Sequence, residues 1–248
     1  MVNINIISNV FDETLNEYSY KKLSLKHGVF GANIRETLKQ ITDSTEECKL
    51  LRHDIHKFYD ETKNAKRERL IIKTNQNNFY DNPYGSRDSV YWEDDMIEAS
   101  SREGLFYTGH NHPDYHTCFQ SSADFYNTVI YGAKYSWTIG KDGLMIVKNT
   151  GFSDEEKMNQ ACFQHSKQLN KQFNETCEKE INALKKRYPN FEDYNDDDYG
   201  AFFDELNKMY NNHISRNMSS VVNGLRKSFK KNKVNNITIA YASKSKKK

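Results

Sequence analysis

The apolar positions of this chain change their period several times, and each change marks an element. From Gly31 onward, Ile34, Leu38, Ile41, Leu51, Ile55 and Phe58 recur with polar residues between them, which predicts helical structure. The pattern fades at ETKNAKRE. RLIIKT then reads as a strand, NQNNFYDNPYGSRD as a loop, DSVYW as a second strand and MIEASSR as a short helix or turn. GLFYTG reads as a buried strand. SSADFYNTVIYGA opens with cap-type residues and continues apolar at helical spacing. YSWTIG and LMIVKN carry a hairpin signal around the turn KDG, and the opening MVNINII reads as one more short strand.

At residue 151 the texture changes. Ser153 and Glu156 fit a capping box, and Met158, Cys162, Leu169, Phe173, Cys177, Ile181 and Leu184 follow along one stripe. Pro189 and NFEDYNDDD interrupt that stripe. A second one carries Phe202, Leu206, Tyr210, Ile214, Met218, Val221, Leu225 and Phe229. Two such stripes joined by a short loop predict an antiparallel helical hairpin that packs within the chain. ITIAYA reads as a last strand returning to the sheet. The expected class is α+β. Residues 1–65 form an N-terminal helical segment, 66–150 a core, and 151–248 a helical hairpin with a terminal strand and a basic tail.

Composition changes this picture little. Hydrophobic residues make up only 36%, but 14 Phe and 16 Tyr can fill a core. Lys and Arg number 36 against 34 Asp and Glu, a net +2, which gives no general argument for nucleic acid or an acidic partner. The terminal SKSKKK reads as a solvated tail. Cys48, Cys118, Cys162 and Cys177 lie far apart with no CxxC, no signal peptide opens the chain, and no apolar run nears the roughly 20 residues of a membrane span. The expectation is a soluble, cytoplasmic protein with free thiols and no membrane partner.

Candidate chemistry concentrates in GHNHPDYHTCFQSSADF, residues 109–125. If the strand GLFYTG continues through the histidines, alternation puts His110 and His112 on one side. With the carboxylate of Asp124 at a helix start, they can supply three ligands to a tetrahedral zinc whose fourth position stays open. Zinc acidifies water, so a carboxylate base is needed nearby. Glu68, before the strand RLIIKT, is the first choice; Glu98 is the second, and Glu93 and Glu103 are further carboxylates upstream. Ser121 offers a hydroxyl to an oxyanion.

These residues resemble the JAB/JAMM (MPN) metalloprotease motif: a Glu, then at a distance HxHP, a short loop and SxxD. The HNHP form is similar to RadC-type proteins and to JAB-like domains of phage and mobile elements. RERLIIKT fits the family's glutamate-then-strand element, and YSWTIGKDGLMIVKN its strand pair after the SxxD helix. The resemblance covers residues 66–150 and implies a mixed sheet with flanking helices. It also implies Zn2+ held by His110, His112 and Asp124, with Glu68 as general base and Ser121 near the oxyanion. The reaction it implies is hydrolysis of a peptide or isopeptide bond in a protein or peptide substrate. Eight residues separate His112 from Ser121, one more than the family's usual spacing, which leaves Ser122 as an alternative. His116 and Cys118 stand in that loop as candidates for a fourth ligand. Two other readings stay open: a metal-dependent nuclease or toxin-like enzyme, and a non-catalytic JAB-like protein whose helices bind a partner. HxHPDYH is also similar to the HxHxDH of metallo-β-lactamases, but Tyr115 stands where the last histidine belongs.

Overall fold

The structure, a computed structural model, describes residues 31–244 apart from 88, 115, 152–153 and 194–195. The strand expected over MVNINII, the cap expected at Ser153 and most of the basic tail lie outside the described residues.

The first apolar run forms two helices, α1 (Gly31–Ile41) and α2 (Thr45–Thr62). They separate because Ser44 takes extended backbone and its side chain accepts the amide proton of Glu47, which starts a new helix. Six strands follow: β1 (Leu70–Thr74), β2 (Phe79–Asn82), β3 (Leu105–Asn111), β4 (Tyr135–Ile139), β5 (Gly143–Asn149) and β6 (Ile237–Ser243). They form one sheet in the order β2-β1-β3-β4-β5-β6. The β3–β4 pair is parallel and the other pairs are antiparallel. A parallel pair needs a crossover, and helix α4 (Ser122–Ile130) lies in it. The fold is therefore α+β, a mixed sheet with flanking helices.

Two stretches differ from the pattern-based reading. Strand β2 falls within the segment read as a loop, where it pairs antiparallel with β1. Residues 89–92 of DSVYW are not a strand. The side chain of Asn82 donates to the Tyr91 carbonyl at 2.9 Å, so this stretch meets the end of β2 through a side chain instead of a ladder. MIEASSR does form a helix, α3 (Asp94–Glu103).

The sheet has two dissimilar faces. Under α1 and α2, Ile71, Tyr107, Trp137, Leu144 and Ile146 pack with Leu51, Ile55 and Phe58. The other face carries Thr108, His110, Ser136 and Thr138 at its centre. Near β5 and β6 the same face turns apolar, with Met145, Val147 and Ile239 packed against α4 and the helical arm.

That arm is the expected antiparallel hairpin, with each limb interrupted once. One limb is α5 (Glu155–Thr176) and α6 (Glu178–Arg187), the other α7 (Asp197–Arg216) and α8 (Met218–Lys231). Helix α5 packs on α8, and α6 on α7. Asp154 caps α5 by accepting from the Lys157 amide. The second stripe is buried throughout α8 and at Phe202 and Ile214 of α7, whereas Leu206 on α7 is only half-buried. No helix among the described residues is long and apolar enough to cross a membrane, and all four cysteines are free thiols.

Candidate metal centre

Strand β3 continues to Asn111, and the His112 amide donates to the Ile139 carbonyl at 2.7 Å, carrying the pairing with β4 one residue further. Both imidazoles therefore turn to the same side, with their Nε2 atoms 3.1 Å apart. Asp124 reaches them from the first turn of α4. Its Oδ2 accepts from the amide and the hydroxyl of the N-cap residue Ser121, at 2.7 and 2.8 Å. Its Oδ1 lies 3.5 Å from His110 Nε2. The ligand atoms of His110, His112 and Asp124 all lie within 4.8 Å of one another. Two nitrogens bound tetrahedrally at zinc distances would stand about 3.3 Å apart, so the spacing of the two rings fits a metal ion without rearrangement.

The protonation states fit as well. His112 Nδ1 bonds the Thr117 carbonyl at 2.6 Å; a carbonyl only accepts, so Nδ1 carries the proton and Nε2 is a free lone pair. Burial, reinforced by neighbouring His110, pushes the His112 pKa down to about 4, which keeps the ring neutral. For Asp124, burial favours the protonated acid. The nearby histidines and the bonds from Ser121 outweigh it and hold the carboxyl below its ordinary range. Neutral imidazole and ionised carboxylate are the ligating forms.

Glu68 stands two residues before Leu70, and Leu70 pairs with His110 in the β1–β3 register. The same alternation brings the Glu68 carboxylate to the histidine side, with Oε1 3.8 Å from His112 Nε2 and the residue only 7% exposed. Asn111 secures this placement. It accepts from the Arg69 amide at 2.8 Å and donates to the Arg67 carbonyl at 3.1 Å, clamping the chain on both sides of Glu68. The middle residue of HNH thus serves the carboxylate while its neighbours serve the metal group. Strand alternation alone places Asn111 on the opposite face from the histidines; that it reaches residues 67 and 69 requires the register. Thr138, whose Oγ1 lies 3.3 Å from His110 Nε2, left no local signal, since it faces His110 through the β3–β4 pairing.

The other candidates lie elsewhere. Glu98 is exposed and pairs with Arg102. Glu103 bonds Arg102 and Asn78. Glu93 is exposed at the start of α3. The His116 ring lies 6.5 Å from that of His112. Cys118 is fully buried and packed in the apolar core, and burial, with Asp142 beside it, pushes its thiol well above the ordinary range. Neither joins the metal group. Ser121 and Ser122 both border the site, but the Ser121 hydroxyl is engaged with Asp124.

A cleft of about 560 Å³ opens over these residues. Tyr91 and Trp92 form one wall, and Tyr210 and Asn211 of α7 another; among the described lining residues, none is Lys or Arg. What fold and site define together is an α+β protein with a buried His-His-Asp group able to hold a metal ion. Compared with protein-family models, curated proteins and solved structures, the chain matches none.

Proposed function

We propose that this protein is a zinc-dependent hydrolase of JAB/JAMM type that cleaves a peptide or isopeptide bond. The observation that carries the reading is the Glu68 carboxylate, held 3.8 Å from His112 Nε2 in the cleft shared by His110, His112 and Asp124. Zinc bound there would supply Lewis acidity toward a water molecule and the substrate carbonyl. Glu68 takes a proton from the water as its oxygen attacks the carbonyl carbon. The carbon–nitrogen bond then breaks, and Glu68 returns the proton to the departing amine. Ser121 can turn its hydroxyl to the oxyanion, because its own amide still donates to Asp124 Oδ2 at 2.7 Å.

Cleft charge supports an amide substrate over a nucleic acid. The described lining offers the carboxylates of Glu68 and Asp124 and no Lys or Arg to attract a phosphate backbone.

The test combines metal analysis of the purified protein with a screen of peptide and isopeptide substrates. Glu68→Gln should keep the metal and the melting temperature while lowering hydrolysis by about 10²–10⁴-fold, because an amide cannot accept the proton. A wild-type protein that excludes zinc, or a Glu68→Gln variant as active as wild type, would overturn the proposal.

A further inference from the structure

The metal group lies between the sheet and α4, yet its hydrogen bonds lead out to the helical arm. His112 Nδ1 donates to the Thr117 carbonyl at 2.6 Å. The Thr117 amide donates to Asn211 Oδ1 of α7 at 3.2 Å. Asn211 Nδ2 in turn donates to the Asn207 carbonyl one turn back, at 2.9 Å, which fixes the orientation of the amide group. Thr117 is 3% exposed, so its N–H has no ready access to bulk water. From beneath, Gly140 lets the loop approach closely: a Cβ there would stand 2.2 Å from the Thr117 carbonyl carbon. Residue 117 is thus gripped by the turn after β4 on one side and α7 on the other, and its carbonyl is the acceptor that sets the His112 tautomer.

We propose that Asn211 is a positioning residue of the metal centre, fixing the His112 ring through Thr117 and making the helical arm a working part of the site. The proposal builds on the metal reading of His110, His112 and Asp124. Partners of a ligating histidine's outer nitrogen determine which nitrogen faces the metal and in what orientation, and their loss typically weakens binding tenfold or more. Asn211 acts one bond further out. Its removal strands a buried N–H, and residue 117 must turn to find another acceptor. The Thr117 carbonyl belongs to the next peptide unit, whose Cys118 amide donates to Asp142 Oδ1 at 2.8 Å, so the shift reaches it through the Cα of residue 117 and alters the bond that holds the proton on His112 Nδ1.

The experiment measures Zn2+ affinity, the visible spectrum of the Co2+-substituted protein and the imidazole 15N shifts of His112. Asn211→Ala should bind Zn2+ about tenfold more weakly, with an altered cobalt spectrum and a mixture of His112 tautomers. Asn211→Asp keeps an acceptor and should retain the Nδ1–H form. Asn212→Ala is the control on the same helix: it removes only the 2.8 Å bond from Lys141 and should leave all three readouts unchanged. Leu225→Ala controls for general loosening of the arm. Wild-type tautomer and affinity in Asn211→Ala would overturn the proposal, and so would an equal loss in Asn212→Ala or Leu225→Ala. If the wild-type protein binds no Zn2+, the metal reading fails, and the His112 15N shifts still decide the relay.

Discussion

On the side of the sheet covered by α1 and α2, Trp137 meets Phe58 at 5.1 Å between ring centroids and Tyr107 at 5.8 Å. On the other side of the same strands, Thr138 lies against His110 and Gln120 donates to Ser136. A single residue step separates the two regimes. Gly109 lies under the Trp137 indole, where a Cβ would stand 2.2 Å from the ring, and the next residue is His110. The aromatic face is filled to contact and supplies rigidity. The polar face forgoes apolar packing to hold groups that a ligand must reach. The dry face thereby fixes the strands from which the site's groups project.

Breaking the dry face should have the largest effect. Trp137→Ala should destabilise the protein by about 3–5 kcal/mol, read by chemical denaturation, and metal binding should fall with the fold. An unchanged midpoint would show that the aromatic layer is not what holds the sheet.

The next effect comes from pH, and it sits beside the polar face. His165 on α5 is 3% exposed, near Phe119 and Gly224, and burial lowers its pKa to about 4. In the unfolded chain its pKa is about 6.5, so between these values the unfolded state binds the proton that the folded state refuses. The group therefore costs the folded state nothing above about pH 6.5 and destabilises it progressively as pH falls toward 4, the loss amounting to about 2 kcal/mol at pH 5. His165→Phe should flatten the pH 7-to-5 difference in melting temperature; an equal drop in that variant would assign the dependence to other groups.

Cutting into the polar face itself should barely affect folding. His112→Ala should cost about 1 kcal/mol for the lost hydrogen bond, yet remove most of the bound zinc, because two ligands hold the ion poorly. Full zinc occupancy in that variant would refute the ligand assignment. The smallest effect is expected away from both faces, where Arg87 pairs with Asp114 at 3.6 Å and Asp204 at 3.1 Å. These pairs are partly exposed, so Arg87→Ala should change stability by less than about 1 kcal/mol, and mainly at low salt.

Much of this arrangement was legible in the sequence because it rests on local rules. Strand alternation placed His110 and His112 together, the cap-type SSAD placed Asp124 at a helix start, and the helical stripes foretold the arm. What stayed hidden depends on register and long-range pairing. FYDN looks like loop because its Asn- and Asp-rich flanks resemble turns, yet pairing with β1 makes it an edge strand. The apolar run from Ile34 to Phe58 conceals the Ser44 cap because its spacing resumes almost in phase. Leu206 shares the periodicity of a buried stripe but is left half-buried, as periodicity reports a face and not what covers it. Asn211 follows no pattern at all; it matters through a loop 94 residues away in sequence.

Strand β6 completes the sheet by pairing along the whole of β5, from Gly143 opposite Ser243 to Asn149 opposite Ile237. All of the arm lies between the two strands. A growing chain therefore carries β5 as a bare edge while residues 150–236 are being made, on the order of ten seconds at ordinary elongation rates. Bare edges template pairing with other chains, and long-range β pairing is slow to form. The interval between making β5 and receiving β6 is thus when the nascent chain is most prone to aggregate, although every group of the candidate site has by then been synthesised except those the arm contributes.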